Sequence, residues 1–114
     1  MKTVEFEEST IIIGQNAKEN WELLENNENY WWFHLKSFPS CHVVILEEDP
    51  GSMDILEAAK LCRDNTKYRN LKNIKVNYTQ IKNINTCQGY IINVVAYVIC
   101  NKVKNISLQD FYTN

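Results

Sequence analysis

Residues 30–36, Tyr-Trp-Trp-Phe-His-Leu-Lys, alternate in a way that constrains the fold more than any other part of the chain. In an extended strand, neighbouring side chains point to opposite faces. Trp31, Phe33 and Leu35 therefore share one face, apolar and suited to a core, while Tyr30, Trp32, His34 and Lys36 share the other. That second face is aromatic and basic. It is either a surface on which bases stack and phosphates pair, or a second packed face in which a helix covers Trp32. Pro39 then imposes a turn, and Val43-Val44-Ile45 begins a partner strand, leaving His34 and His42 on either side of it.

The rest of the chain surrounds this pair of strands with alternating short elements. A weakly alternating stretch (residues 3–7) and the β-branched Thr10-Ile11-Ile12-Ile13 predict an opening hairpin that ends near Gly14. Asn16 followed by Glu19 has the spacing of a capped helix start, and the helix should end in Asn26-Asn27-Glu28-Asn29. After the strand at 42–47, Asp49-Pro50-Gly51 makes a turn, and Ser52 is placed to cap a helix running to about Asn65. Residues 75–79 read as a strand, 80–88 as a polar loop, and 90–99 with 103–108 as a closing hairpin. The expected architecture is a single α+β domain over residues 1–114, a mostly antiparallel sheet with two helices in the order ββαββαβββ.

Composition excludes several classes. Three Trp, six Tyr and four Phe in 114 residues supply a real core, which argues against disorder. The longest apolar run, residues 90–100, is short and interrupted by Asn93, so no membrane span is expected. The acidic first ten residues lack an apolar signal region, which predicts a cytoplasmic protein. Cys41, Cys62, Cys87 and Cys100 contain no C-x-x-C pair and fit no zinc template, so reduced thiols and no metal are expected. No P-loop or G-x-G-x-x-G is present, and no cofactor is implied. Cys41 and His42, being adjacent in an extended strand, face opposite ways and make no catalytic dyad. No catalytic residues are assigned, and the expected function is non-enzymatic.

Charge is unevenly distributed. Residues 1–57 carry three bases against twelve acids, a balance of -9, and residues 58–114 carry nine bases against two acids, a balance of +7. Such asymmetry suggests a polyanion-binding face, although the acidic half could simply neutralise the basic half. On the second helix, Ile55, Ala58, Ala59 and Cys62 form an apolar side, and Lys60, Arg63 and Lys67 fall on the opposite side as a basic stripe. Arg69, Lys72 and Lys75 continue it. Together with Trp32, His34, Lys36 and His42, these are the candidate nucleic-acid-binding residues. Asn16 and Lys18 at the first helix start either present backbone N–H groups to an anion or simply cap the helix.

The stretch Trp32-Phe33-His34-Leu35-Lys36-Ser37-Phe38-Pro39-Ser40-Cys41-His42-Val43-Val44-Ile45 resembles the W-x-H-x-K-x-x-P-G-S-H-V-V-I signature of the NFACT-R domain. The resemblance extends in order along the chain. Gly14-Gln15-Asn16-Ala17-Lys18-Glu19-Asn20 is similar to G-R-N-N-K-x-N, Val76-Asn77-Tyr78-Thr79 to V-D-Y-T, and Gln88-Gly89-Tyr90-Ile91 to P-G-x-V. Ala58-Ala59 with Thr66-Lys67 resembles the A-A…S-K segment of the family's helix, and residues 102–108 look like the closing strand of a stand-alone member. Gln15 replaces the family's usual Arg, Tyr30 and Ser37 replace Asp residues, and Ser40-Cys41 stands for Gly-Ser. The family occurs in ribosome-associated quality-control factors. The resemblance therefore implies RNA as partner, either tRNA or rRNA, with DNA and the large ribosomal subunit as further candidates. The alternative is a protein-interaction module that keeps the fold without nucleic-acid binding.

Overall fold

The first thirteen residues close into a hairpin, β1 (Lys2–Phe6) and β2 (Ser9–Ile13), because a two-residue loop reverses the chain and Glu7 accepts the left-handed backbone (φ 54°) that tight hairpin turns need. In the computed structural model, which describes residues 1–36, 38–71, 74–85, 97–98 and 104–108, this hairpin forms one side of a six-stranded sheet. The other strands are β3 (Trp31–Leu35), β4 (Val43–Ile45), β5 (Lys75–Gln80) and β8 (Lys104–Ser107). Their spatial order is β1-β2-β4-β3-β5-β8, and every pairing in this sheet is antiparallel. The strand with the informative alternation, β3, lies between β4 and β5 and is hydrogen-bonded on both edges.

Both faces of the sheet are covered at its central strands. On one, Ile11, Ile13, Phe33, Leu35, Val43, Ile45 and Val76 pack beneath Ala58, Ala59 and Cys62 of helix α2 (Ser52–Asp64). The two alanines let the helix lie close to the strands. On the other face, Ile12, Val44 and Trp32 pack against Leu23 of helix α1 (Ala17–Leu23) and against Ile81 of a 3₁₀ turn (Ile81–Asn83). Two cores therefore share one sheet.

Helix α1 starts as the sequence suggests. The Asn16 Oδ1 accepts the Glu19 N–H at 2.9 Å. Glu19 in turn accepts the Gln15 N–H at 3.0 Å and the N-terminal amine at 2.6 Å, and these bonds lower its pKa. The start of α2 differs from expectation. Gly51 occupies the cap and Ser52 is already helical, while the Asp54 carboxylate accepts the Gly51 N–H at 3.2 Å.

After α2 the described residues hold four strands rather than three. The stretch read as a polar loop contains the end of β5, the 3₁₀ turn and β6 (Ile84–Asn85), which pairs with β7 (Tyr97–Val98). Ile81, an apolar residue among polar neighbours, is 7% exposed and fills the second core. β8 pairs with β5, so the strands expected to form a closing hairpin belong to different ladders. Most of the expected strand at 90–99 lies outside the described residues. Cys41 and Cys62 are free thiols, each within 3.6 Å of the other's carbonyl oxygen; Cys87 and Cys100 lie outside the described residues.

One contact locks α1 to the sheet. Gly14 donates to the His42 carbonyl at 2.9 Å, and the Asn20 Oδ1 accepts the His42 N–H at 3.1 Å. A Cβ on Gly14 would lie 2.2 Å from that same Asn20 Oδ1 and 3.0 Å from the Asn20 backbone nitrogen. We expect Gly14→Ala to lower stability by about 1–3 kcal/mol in denaturant titration. In that background Asn20→Ala should cost less than it does alone, because the two side chains compete for one space.

Candidate nucleic-acid interface

The face of β3 that could have bound bases is a core. Trp32 is 3% exposed; its ring stacks on His34 (centroids 5.6 Å apart, planes 12° apart) and meets the edge of His42 at 5.4 Å. The two imidazoles meet edge to face at 5.2 Å. Tyr30 lies half-buried against the same cluster. Trp32 and His42 are therefore not surface groups, and neither offers a stacking platform or a phosphate contact from this position. The reason is the neighbouring sequence. Leu23 and Ile81, one on each side of β3 in the chain, supply an apolar lid that the strand's own alternation does not reveal. The Trp32 Nε1 and His42 Nδ1 atoms are buried without a hydrogen-bond partner among the described residues.

This environment holds both imidazoles neutral. Burial, and then the adjacent His34, push His42 from the ordinary 6.5 down to about 3. Burial also lowers His34, partly offset by the bond its Nδ1–H donates to the Leu35 carbonyl at 2.7 Å. A histidine with a depressed folded-state pKa destabilises the fold once the unfolded chain begins to take up protons. Stability is thus complete above about pH 6.5 and falls as pH drops toward 3. Between about pH 7.5 and about pH 5 we expect His42 alone to cost about 2 kcal/mol in denaturant titrations. The lowered carboxyl of Glu19 acts only below its ordinary 4.5, outside this window. His42→Gln should flatten the dependence, whatever its own stability.

The cations emerge where β3 ends. Lys36 donates its N–H to the Lys75 carbonyl at 2.9 Å, extending the ladder one pair beyond Leu35 and Val76. Lys36 and Lys75 are consequently cross-strand neighbours on the same sheet face, both exposed, and neither has an ion pair among the described residues. Like charges placed opposite each other in a sheet repel, so an anion between them relieves a standing cost. The turn that follows is fixed by Ser40, whose Oγ accepts the Leu35 N–H at 3.0 Å and donates to the Cys41 carbonyl at 2.9 Å. Within that turn Phe38 packs on Tyr68, with ring centroids 4.8 Å apart. The contact brings the segment after α2, with exposed Lys67 and Arg69, to the same end of the sheet.

The expected stripe along α2 is not present as drawn. Arg63 is 6% exposed, and its Nε donates to Asp64 at 2.6 Å. Its position four residues after Ala59 turns it toward the flank that faces the sheet. Lys60 is half-buried and engaged in an interaction of its own. The helix stops at Asp64, so Lys67 no longer follows its helical angle; its Nζ lies 5.3 Å from the Tyr68 ring centre. Lys72 lies outside the described residues.

Acids collect at the opposite end of the sheet. Glu7 and Glu8 form the β1–β2 turn, Glu28 precedes β3, and Glu47, Glu48 and Asp49 follow β4. Lys82, which reaches the Asn29 side chain at 3.2 Å, is a cation at that acidic end. At the basic end, Glu19 is bonded to the N-terminal amine and Asp64 to Arg63. The imbalance seen between sequence halves thus becomes a polarity between sheet ends. Phe38 and Tyr68 were not among the sequence candidates. The available signal was an aromatic residue immediately before Pro39, a turn position from which it does not reach the sheet core.

Among the described residues, no group of three or more His, Cys, Asp and Glu side chains is placed to hold a metal ion. No helix among them is long and apolar enough to cross a membrane. Residues 5–94 match the family model described as the NFACT protein RNA binding domain. The chain belongs to the NFACT-R family. It is 30% identical over 90 residues to the Rqc2 homolog RqcH of Bacillus subtilis (strain 168), a match covering 77% of this chain and 16% of that protein. The solved C-terminal part of the fibronectin/fibrinogen-binding protein from Streptococcus suis is similar in fold, with a TM-score of 0.79 and 25% identity over 88% of this chain and 40% of that one. The chain thus spans less than half the length of either relative. In this NFACT-R domain, the Trp and second His of the signature are core residues and its Lys is exposed, so the signature joins a packing requirement to one surface charge.

Proposed function

We propose that this NFACT-R domain is a non-enzymatic RNA-binding module that engages phosphates at the basic end of its sheet through Lys36 and Lys75, with Lys67 and Arg69 beside them. Membership of a family described as RNA-binding supports the polymer. Similarity to an Rqc2 homolog supports a setting related to ribosome quality control; within it we take tRNA or rRNA in the cytoplasm as the partner, with the large ribosomal subunit as a further candidate. The observation that carries the reading is the cross-strand placement of Lys36 and Lys75, exposed and without an ion pair among the described residues, at the end of a strand covered on both faces. His34, half-buried between Trp32 and this end, acts as a neutral hydrogen-bonding group at the rim.

Fluorescence anisotropy with labelled tRNA over a salt series tests the proposal. Four phosphate contacts give a log–log slope of about -3. Lys36→Glu with Lys75→Glu should weaken binding at least about tenfold and flatten the slope by about 2. Lys82→Glu, at the acidic end, should leave binding nearly unchanged. Duplex DNA in a parallel series separates RNA preference from general polyanion attraction. Absence of binding at low salt would show instead that the domain keeps the fold as a protein-interaction module.

A further inference from the structure

Among the described residues, Phe38 is an exposed aromatic at this end of the sheet. It is 37% exposed although most large apolar side chains among the described residues pack into or against the two cores. Pro39 restricts the backbone of the residue before it to extended conformations, and the Ser40 bonds fix the turn on the other side. Tyr68 supports the ring from below, with planes inclined by 38°. The ring is therefore presented rather than loosely hanging. Leu71, 44% exposed, donates its N–H to the Tyr68 carbonyl at 3.0 Å, so a second exposed apolar residue follows Tyr68 in the same turn.

Among the described residues, the exposed charges around this aromatic pair are positive apart from Asp64. Lys67 lies against the Tyr68 ring, Arg69 is exposed one residue beyond it, and Lys36 precedes the turn. Asp64, the acid of this segment, is bonded to Arg63. An apolar platform rimmed by cations fits a flat, apolar-faced group carried on an anionic chain. A base inside a duplex already has both faces stacked, so only an unpaired base has a face to give.

We propose that Phe38, supported by Tyr68, is a stacking site for an unpaired nucleobase, with Lys67, Arg69 and Lys36 holding the flanking phosphates. This rests on the RNA-binding reading above and adds to it a preference for single-stranded segments over duplex. Phe38 and Tyr68 thus take the stacking role that the sequence had suggested for Trp32.

The test compares a short oligoadenylate with an abasic strand of equal length and phosphate count, bound to the full chain at low salt. Wild type should bind the base-bearing strand about tenfold tighter. Phe38→Leu, which keeps an apolar side chain without a ring face, should bind both strands alike. Phe38→Trp should restore the preference, which distinguishes lost stacking from a disturbed turn. A Phe38→Leu variant that retains the full preference overturns the assignment. Equal binding of both strands by wild type also overturns it while leaving the electrostatic reading intact. Failure to bind either strand removes both proposals and leaves the surface to a protein partner.

Discussion

The position of β3 governs what this domain is able to do. It is hydrogen-bonded along both edges and covered on both faces, by α2 over Phe33 and Leu35 and by α1 with the 3₁₀ turn over Trp32. A strand buried in this way has no surface to bind with except its ends. Its C-terminal end delivers Lys36, the partner strand β5 begins there with Lys75, and the turn to β4 carries Phe38. Packing thus leaves the end of this strand as the place where its exposed side chains can meet a ligand.

The electrostatics follow from the topology. Antiparallel strands bring alternate chain reversals to the same end of the sheet. The acidic reversals, at Glu7-Glu8 and at Glu47-Glu48-Asp49, fall at one end, while Lys36, Lys75 and the segment from Lys67 to Leu71 fall at the other. A chain with a net charge of only -2 can therefore present a concentrated positive edge. Local field, rather than overall charge, steers and holds a polyanion at such an edge.

Much of the fold was legible in the sequence. The opening hairpin, the Asn16 cap, the face shared by Ile55, Ala58, Ala59 and Cys62, and the strand beginning at Lys75 rest on local patterns that the structure repeats. The site was less legible, for physical reasons. Alternation shows that a strand has two faces but not whether the second is covered, and the covering residues, Leu23 and Ile81, are distant in sequence. Helical angles placed Arg63 and Lys67 together, yet the helix ended between them and Arg63 turned inward. Lys36 and Lys75 are 39 positions apart, so only strand pairing makes them neighbours.

The central claim is that RNA meets the basic end of the sheet and not its faces. An NMR titration of the isotopically labelled chain with oligoadenylate, following backbone amides, measures this most directly. The account predicts shift changes confined to residues 34–42, 66–71 and 75–77, with the β1–β2 turn and residues 46–49 unmoved. Changes centred on the outer side of α2 around Lys60, or at the acidic end near Glu47 and Glu48, would contradict it.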